Sequence, residues 1–458
     1  MLFSAYVNCF KIPELKKRLL FTLGLIALVE LAKTIPCPGI DPLRLKELFA
    51  NLNNNADNSG IMGMLNIFSG GAMEQFAIGA LGIMPYISAS IVLQLMTPVI
   101  PALNKMVREG ESGMQQYNFI MRVLTVVISV VQGVMFSLAM MRGIDNSGSV
   151  VVNPGMGFIV QTVIILTGGA MFVTWLGEMI TERGVGNGAS LIITINIVAR
   201  LPQALTSLYQ LVFVGSSTGE SQLTILHLLI LVVLFVAVTV GAIMLTEGMR
   251  KIPIHYVQQR SFGGRSMGSA VSYLPLRVNY ANVMPIIFAG AILSFVTMGL
   301  RYLVGVTNNS KVVFWFYSLL DYGSLSYIII YAVLLLLFSF FWVANQFNPI
   351  QIADDLQKNN GYIPGITPGK ATSDFLDHAM TRITLGGAFG LMILAVIPML
   401  LAKSLNIPHT IGQFFGGTSL LIIVGVMLDT LRQIQTYLIS RNYDGFLSKG
   451  ILRNHTRV

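Results

Sequence analysis

The side chains best suited to chemistry are few in this chain and lie far apart. Its two cysteines, Cys9 and Cys37, have no Cys-x-x-Cys spacing. Its five histidines follow no His-x-x-His or His-Glu-x-x-His pattern: His227, His255, His378, His409 and His455. Metal ligands and redox thiols come from closely spaced residues of these types. The sequence therefore predicts no metal site, no cofactor and no thiol chemistry.

Charged residues within apolar segments would be a second source of chemistry. Glu30 and Lys33 lie three residues apart in the first apolar run, where they can pair or extend towards the membrane surface. No series of carboxylates or histidines follows, as an ion-coupled transporter would need, and no Ser/His or paired-Asp arrangement indicates a membrane-embedded enzyme. A nucleotide-binding Gly-x-x-x-x-Gly-Lys-Ser/Thr loop is absent too. The chain is predicted not to be an enzyme.

Composition defines the elements that must position whatever site exists. Charged residues make up 11% of the 458 residues, against roughly 25% in an average soluble domain. Hydrophobic residues make up 54%, and the mean hydropathy is +0.71. Repeated apolar runs approach the ~20 residues of a membrane-spanning helix. The sequence predicts an all-α, polytopic membrane protein.

Ten apolar runs predict ten transmembrane helices. They cover residues 19–35, 76–96, 119–141, 158–177, 190–214, 223–246, 283–304, 325–343, 383–401 and 414–436. Because ten is even, both termini lie on one side, and most of the 29 Lys and Arg fall on that side. The positive-inside rule makes that side cytoplasmic. The net charge of +9 therefore needs no nucleic acid to explain it.

The same pattern divides the chain into tails, halves and loops. Residues 1–18 and 441–458 are predicted as cytoplasmic tails, and residues 19–222 and 223–440 as two five-helix halves. The first run lacks an A-x-A-like cleavage site, so it is predicted to be a retained span. Two cytoplasmic loops, residues 247–282 and 345–382, are longer than a simple connection requires. They favour a cytoplasmic partner.

Two short stretches, one in each half, resemble each other. "GIMPYISAS" (82–90) and "NVMPIIFAG" (282–290) share Met-Pro-x-Ile and small residues, five spans apart. An offset of five spans reverses direction, so the pattern favours an inverted repeat, a plan common among membrane transport proteins. A secondary transporter of small solutes stays a competing hypothesis. Ahead of the first stretch, residues 61–68 are apolar but too short to span a membrane.

Six motifs in order resemble the SecY family, the large channel subunits of the bacterial Sec protein translocon. They are "GIMPYISASIVLQL" (82–95), "REGESG" (108–113), "ITERGVGNGASLII" (180–193), "LPLRVNYANVMPIIFA" (274–289), "FNPIQIADDLQKNNGYIPGITPG" (347–369) and "FGGTSLLIIVGVMLD" (415–429). The resemblance extends from one tail to the other. It implies a bacterial inner-membrane protein whose two inverted halves surround a central hourglass pore.

The resemblance also implies a seal in two parts. A pore ring would consist of Ile83, Ile87, Ala189, Ile193, Ile287 and Ile422. A half-helix plug, at about residues 59–71, would cover the ring with Ile61, Met62, Met64, Leu65, Ile67 and Phe68. Glycines on both sides of the plug would let it pack closely and move away.

The remaining implied sites concern substrates and partners. A lateral gate, through which signal sequences and hydrophobic segments reach lipid, would include Pro85, Ser88, Ser90, Pro285, Phe288 and Ala289. A docking surface for the ribosome and the motor ATPase SecA would include Arg250, Lys251, Arg260, Arg265, Lys370 and Arg382. The small membrane subunits SecE and SecG are the other implied partners.

Three positions depart from the family pattern. Ala189 is smaller than the usual ring residue, which implies a wider seal or greater reliance on the plug. Thr367 and Ile350 stand where the family generally has basic residues that engage the motor. Lys370 or Arg382 would then compensate.

Overall fold

The computed structural model describes most of the chain. The described residues are 13–45, 69–142, 150–214, 225–256, 272–306, 311–321, 324–405, 411–412, 414 and 418–451. The six predicted plug side chains, from Ile61 to Phe68, and the predicted docking residues Arg260 and Arg265 lie outside them.

Helices dominate the described residues. We number them α1 Pro13–Thr34, α2 Met84–Met96, α3 Pro101–Arg108, α4 Glu111–Arg142, α5 Met156–Arg183, α6 Gly188–Ala199, α7 Leu201–Tyr209, α8 Ile225–Glu247, α9 Met284–Val306, α10 Lys311–Leu319, α11 Leu325–Gln346, α12 Pro349–Lys358, α13 Lys370–Ser404 and α14 Thr418–Ile451. A π-helical turn, Gln210–Val214, continues α7.

Each of the ten predicted spans overlaps one of these helices or a consecutive pair. Among the described residues, six segments are long and apolar enough to cross a membrane on their own, and α2 with α3 forms a further candidate bent by 102°. The fifth predicted span is the consecutive pair: α6 ends at Ala199 and α7 begins at Leu201, with Pro202 in its first turn. Proline fits a helix start because its missing N–H has no partner there anyway.

The second predicted span starts later than the sequence suggested. Residues 76–83 form turns, and helix α2 begins only at Met84, with Pro85 in its first turn. Helix α9 begins in the same way, with Met284 followed by Pro285. Two residues before each methionine the backbone has a positive φ, 54° at Gly82 and 51° at Asn282. Glycine and asparagine are the residues that tolerate this conformation best. The repeated sequence therefore has a repeated backbone.

A small sheet interrupts the otherwise helical fold. Strand β1, Met249–Tyr256, pairs antiparallel with β2, Ser272–Arg277, and with β3, Gly361–Tyr362. Strands β1 and β2 lie within the first long predicted loop, residues 247–282, and β3 lies within the second, residues 345–382. Within the second loop, residues Pro349–Lys358 and the first part of α13 are helical as well. The pairing of His255 with Tyr362 joins the two long loops into one structure.

One large apolar core connects the two halves. It draws buried residues from α1, α2, α5, α6 and α7 of the first half and from α8, α9, α11, α13 and α14 of the second. Helix α9 contacts α2, α11 and α14, and α14 also contacts α6. The halves therefore meet at α2 with α9 and at α6 with α14.

Candidate pore ring and lateral gate

The predicted ring residues lie in the core between the halves. Ile83, Ile87, Ile193, Ile287 and Ile422 are each no more than 5% exposed and belong to the same cluster of buried side chains. Ala189 is only partly buried and packs against that cluster. None of the five isoleucines faces outward.

These residues lie at or near the starts of four helices that contribute to the same buried cluster. Ile83 directly precedes α2, Ile193 lies in the first half of α6, Ile287 is the fourth residue of α9 and Ile422 the fifth of α14. Gly177 of α5 leaves space for the starts of α2 and α6. A Cβ at this position would lie 3.3 Å from Ile83 Cδ1 and 3.8 Å from the Ala189 nitrogen. The site is a closed apolar centre with contributions from both halves.

The predicted gate residues lie on α2 and α9, two helices that contact each other. Pro85, Pro285, Phe288 and Ala289 are buried, whereas Ser88 and Ser90 are half-buried. Phe288 packs edge-to-face on Trp342 of α11, with ring centroids 5.3 Å apart. The Ser90 hydroxyl accepts a hydrogen bond from Gln94 Nε2 at 2.9 Å.

A small cavity of about 30 Å³ lies beside this contact. Its lining includes Met84 and Ser88 of α2, Gln132 of α4, and Ala291 and Ser294 of α9. The cavity is therefore bordered by both α2 and α9, and polar groups form part of its lining. Of these polar residues only Ser88 was predicted as a gate residue, because Gln132 and Ser294 stand alone in apolar runs of the sequence.

The chain that follows the predicted plug is fixed in place by several contacts. We call residues 69–83 the connector. Glu74 accepts a 2.6 Å hydrogen bond from Arg200 Nη2, and these two side chains are 30% and 13% exposed. A Cβ on Gly70, where φ is +65°, would lie 2.7 Å from Lys33 Nζ and 3.2 Å from the Cα of Asn196. The connector thus lies directly against α1 and the junction of α6 and α7.

Phe76 is the strained point of the connector. Its φ is +46°, which is rare for a bulky residue, and it is 1% exposed. Its ring stacks on Phe136 of α4 at 5.3 Å, and its carbonyl accepts a hydrogen bond from the Cys37 nitrogen at 2.9 Å. Burial raises the pKa of the Cys37 thiol to about 11.

One charged pair was predicted and another was missed. Lys33 Nζ and Glu30 Oε1 are 2.6 Å apart, which confirms the expected pairing. The Arg200–Glu74 pair was not predicted, although Arg200 interrupts the fifth apolar run. An ionisable residue within a span is by itself a reason to look for a partner. The distance along the chain hid that partner from the sequence.

The described residues of the predicted docking surface lie on the sheet and on helix α13. Arg250 and Lys251 are exposed on β1, and Lys370 and Arg382 are exposed on α13. Beneath them, a separate apolar cluster with Ile252, Leu276 and Leu376 joins the sheet to α13. Thr367 and Ile350, the two departures from the family pattern, are also exposed.

Fold and site together define a class: a multi-pass helical membrane protein whose two halves close on one apolar centre. The family model described as SecY matches residues 77–431. The chain is 39% identical to the protein translocase subunit SecY of Chlamydia trachomatis over 453 residues, which cover 96% of this chain and 97% of that protein. The chain belongs to the SecY family.

Solved structures agree with this fold. A structure described as that of a protein conducting channel has a TM-score of 0.59 at 16% identity and covers 94% of this chain, which in turn covers 97% of it. Sec61 in the canine ribosome-channel complex from the endoplasmic reticulum has a TM-score of 0.56 at 16% identity, with coverage of 94% and 97%. At these identities the likeness establishes the arrangement of the helices.

Proposed function

We propose that the chain is the central subunit of a protein-conducting channel in the bacterial inner membrane. It moves unfolded secretory polypeptides across the membrane and releases hydrophobic segments sideways into lipid. The observation that carries this proposal is the match to the protein translocase subunit SecY over 96% of the chain. The predicted ring agrees with it, since its five isoleucines from both halves share one buried cluster. A narrow collar of aliphatic side chains excludes water and ions at rest. Flexible side chains can also reshape around an extended polypeptide.

The gate proposal follows from partition energy. A hydrophobic segment between α2 and α9 gains free energy by entering lipid, since each central Leu, Ile, Phe or Val contributes about −0.3 to −0.6 kcal/mol. A ~20-residue segment thereby gains several kcal/mol. A polar segment gains nothing and continues through the pore. This sorting needs no catalytic residue, which is consistent with a chain that is not an enzyme.

Reconstitution tests the proposed function. The full chain is placed in liposomes with SecE, SecG, the motor SecA, ATP and a secretory precursor, and added protease is then used to detect translocated precursor. We expect the precursor to become protease-protected only when ATP is present. A precursor that stays accessible, while a translocon from a known source protects it in parallel, would contradict the proposal. Saturable uptake of a small solute would favour the transporter instead.

The plug is a separate proposal with its own measurement. We place it at residues 59–71, where the connector begins. Removing residues 61–68 should raise the resting ion conductance of proteoliposomes, because the collar alone would then have to exclude water. The control removes eight residues from the C-terminal tail, 451–458, and should leave the conductance unchanged. Equal resting conductance of both deletions would count against this plug assignment.

The remaining proposals concern partners and orientation. Arg250, Lys251, Lys370 and Arg382 suit the phosphates of ribosomal RNA or acidic patches on SecA, and Arg260 and Arg265 belong to the same proposed surface. The family's small subunits SecE and SecG would complete the channel. Both tails, 1–18 and 441–458, are proposed to be cytoplasmic, because the basic residues cluster on that side.

A further inference from the structure

Helix α10 is a short element with an unusual surface. It begins at Lys311, five residues after α9 ends, and has no buried residue. Val312, Phe314, Trp315 and Phe316 are between 49 and 65% exposed. A helix of a soluble protein would have polar residues at such positions.

One side of α10 already has a protein neighbour. Val313 and Tyr317 are half-buried at a spacing of four, and Leu320 just beyond the helix packs against the main core. Residues four and seven apart share one face of a helix, and α10 contacts α9. The exposed aromatic side chains therefore lie on the faces that α9 leaves uncovered.

The position of α10 places those faces at a membrane surface. The 23 residues of α9 rise about 34 Å at 1.5 Å per residue, enough to cross the ~30 Å hydrocarbon layer. The next long helix, α11, begins at Leu325 and is itself a candidate span. A short helix between the ends of two such helices lies close to the boundary between lipid and water.

The helices on either side of α10 in the chain also expose apolar side chains near it in sequence. Leu303 near the end of α9 is 46% exposed, and Leu325 at the start of α11 is 60% exposed. Tryptophan is enriched where hydrocarbon meets headgroups, because its ring is apolar and its N–H can bond to water. Lys311, at the first position, suits lipid phosphate.

We propose that α10 is an interfacial helix whose Val312, Phe314, Trp315 and Phe316 insert into the lipid headgroup–acyl boundary and hold the adjoining end of α9 at that depth. The partner is the phospholipid surface itself. This contact is independent of whether the chain conducts polypeptides.

Fluorescence quenching by brominated lipid tests the contact. The chain has three tryptophans, and replacing two in turn by phenylalanine leaves Trp315, Trp175 or Trp342 as the only reporter. The full-length chain is purified in mild detergent, so that bound subunits are retained, and is reconstituted with phospholipids brominated at either a shallow or a deep acyl position. We expect quenching of Trp315 that is stronger with shallow than with deep bromines.

The other two tryptophans are matched controls. Trp175 is 53% exposed within the candidate span α5 and should be quenched by lipid bromines, whereas Trp342 packs on Phe288 and should be quenched less. Quenching of Trp315 by aqueous acrylamide and not by bromines would overturn the proposal, because α10 would then lie in water. Protection from both quenchers would overturn it too, because a protein would then cover the helix.

A second measurement removes no tryptophan. A nitroxide attached to Phe316→Cys in a Cys9→Ser chain reports membrane depth through its relative exposure to oxygen and to a water-soluble nickel chelate. We expect greater contact with oxygen than with nickel, as for a headgroup–acyl position. Dominant contact with nickel would overturn the proposal even if the tryptophan variants failed to fold.

Discussion

At the scale of single residues, one glycine allows helix α5 to lie close to the connector. Gly168 and Gly169 are neighbours in α5, yet their surroundings differ. A Cβ on Gly168 would meet nothing within 4 Å, whereas one on Gly169 would overlap the carbonyl oxygen of Ile78 in the connector. Backbone cannot yield as a flexible side chain can, so these two positions should respond differently to the same substitution.

Gly169→Ala should destabilise the protein by about 1–3 kcal/mol, the usual cost of overpacking. Gly168→Ala is the matched control and should be neutral or stabilise by about 0.4–1 kcal/mol, because alanine reduces the freedom of the unfolded chain. Thermal unfolding of the protein in detergent measures both. Equal melting temperatures for the two variants would show that the connector does not lie against Gly169.

Cys37 provides a pH-dependent test at the same scale. With its pKa at about 11 and its side chain 5% exposed, the thiol should react with iodoacetamide at pH 8 at least about two hundredfold more slowly than a thiol of ordinary pKa of about 8.5. A Cys9→Ser chain leaves it as the only cysteine. We expect the rate to rise up to about pH 11. The same chain unfolded in detergent is the control, and equal rates would contradict the buried position.

The raised pKa of the Cys37 thiol also makes the stability of the folded state depend on pH. The folded state favours the neutral thiol, so this contribution is fully present below the unfolded pKa of about 8.5. It is lost as the pH rises from there to about 11. Alkaline conditions should therefore lower the stability of the folded state.

At the scale of elements, the ion pair between Glu74 of the connector and Arg200 can be tested directly by exchanging the two charges. Arg200→Glu and Glu74→Arg each replace an attractive pair by a repulsive one, while the double exchange restores opposite charges. The partly buried pair should be worth about 1–3 kcal/mol. We expect either single variant to raise resting ion conductance and the double variant to return it towards the original value.

Two outcomes would contradict this role of the pair. Unchanged conductance in both single variants would mean that the contact does not hold the connector. An additive effect in the double variant would mean that the two residues act separately. Arg122→Glu is a useful control, because it breaks a different ion pair, with Glu178 of α5, in which neither partner belongs to the connector.

The sequence predicted the helices well and the contacts between distant segments poorly. Hydropathy is a local signal, so each of the ten predicted spans overlaps a helix. Strand β3 has only two residues, and its pairing partner His255 is distant in the chain from Tyr362, so no local pattern indicates the sheet. Phe76 gave no sign of its positive φ, since aromatic residues rarely adopt one. At Asn282 a signal existed that was not used: Asn282 aligns with Gly82 in the repeat, and both residue types tolerate a positive φ.

At the scale of the whole molecule, the central feature is the buried apolar cluster to which both halves contribute. Ile87 and Ile287 occupy equivalent places in the Met-Pro repeat, and both are buried in the shared cluster. The roles of Ala189 and the five isoleucines as a pore ring stay a prediction. The resemblance supplied those roles, whereas burial alone would suit ordinary core packing equally well.

Asparagine at the two equivalent positions tests the ring. Ile87→Asn and Ile287→Asn should each raise resting ion conductance severalfold, because a polar side chain lets water into a narrow apolar constriction. Val296→Asn, on the exposed side of α9, is the control and should leave conductance unchanged. Planar-bilayer recording of the three variants measures the effect. Similar conductance in all three would favour core packing.

The shortness of α2 affects the bilayer around it. Its 13 residues rise about 20 Å, whereas the hydrocarbon layer is ~30 Å thick. The chain then turns by 102° into α3, so no continuing helix makes up the difference. Lipid next to a short span thins to match it. A hydrophobic segment that leaves the channel beside α2 should therefore enter a locally thin bilayer. A segment too short to span the surrounding membrane could span the bilayer at this place.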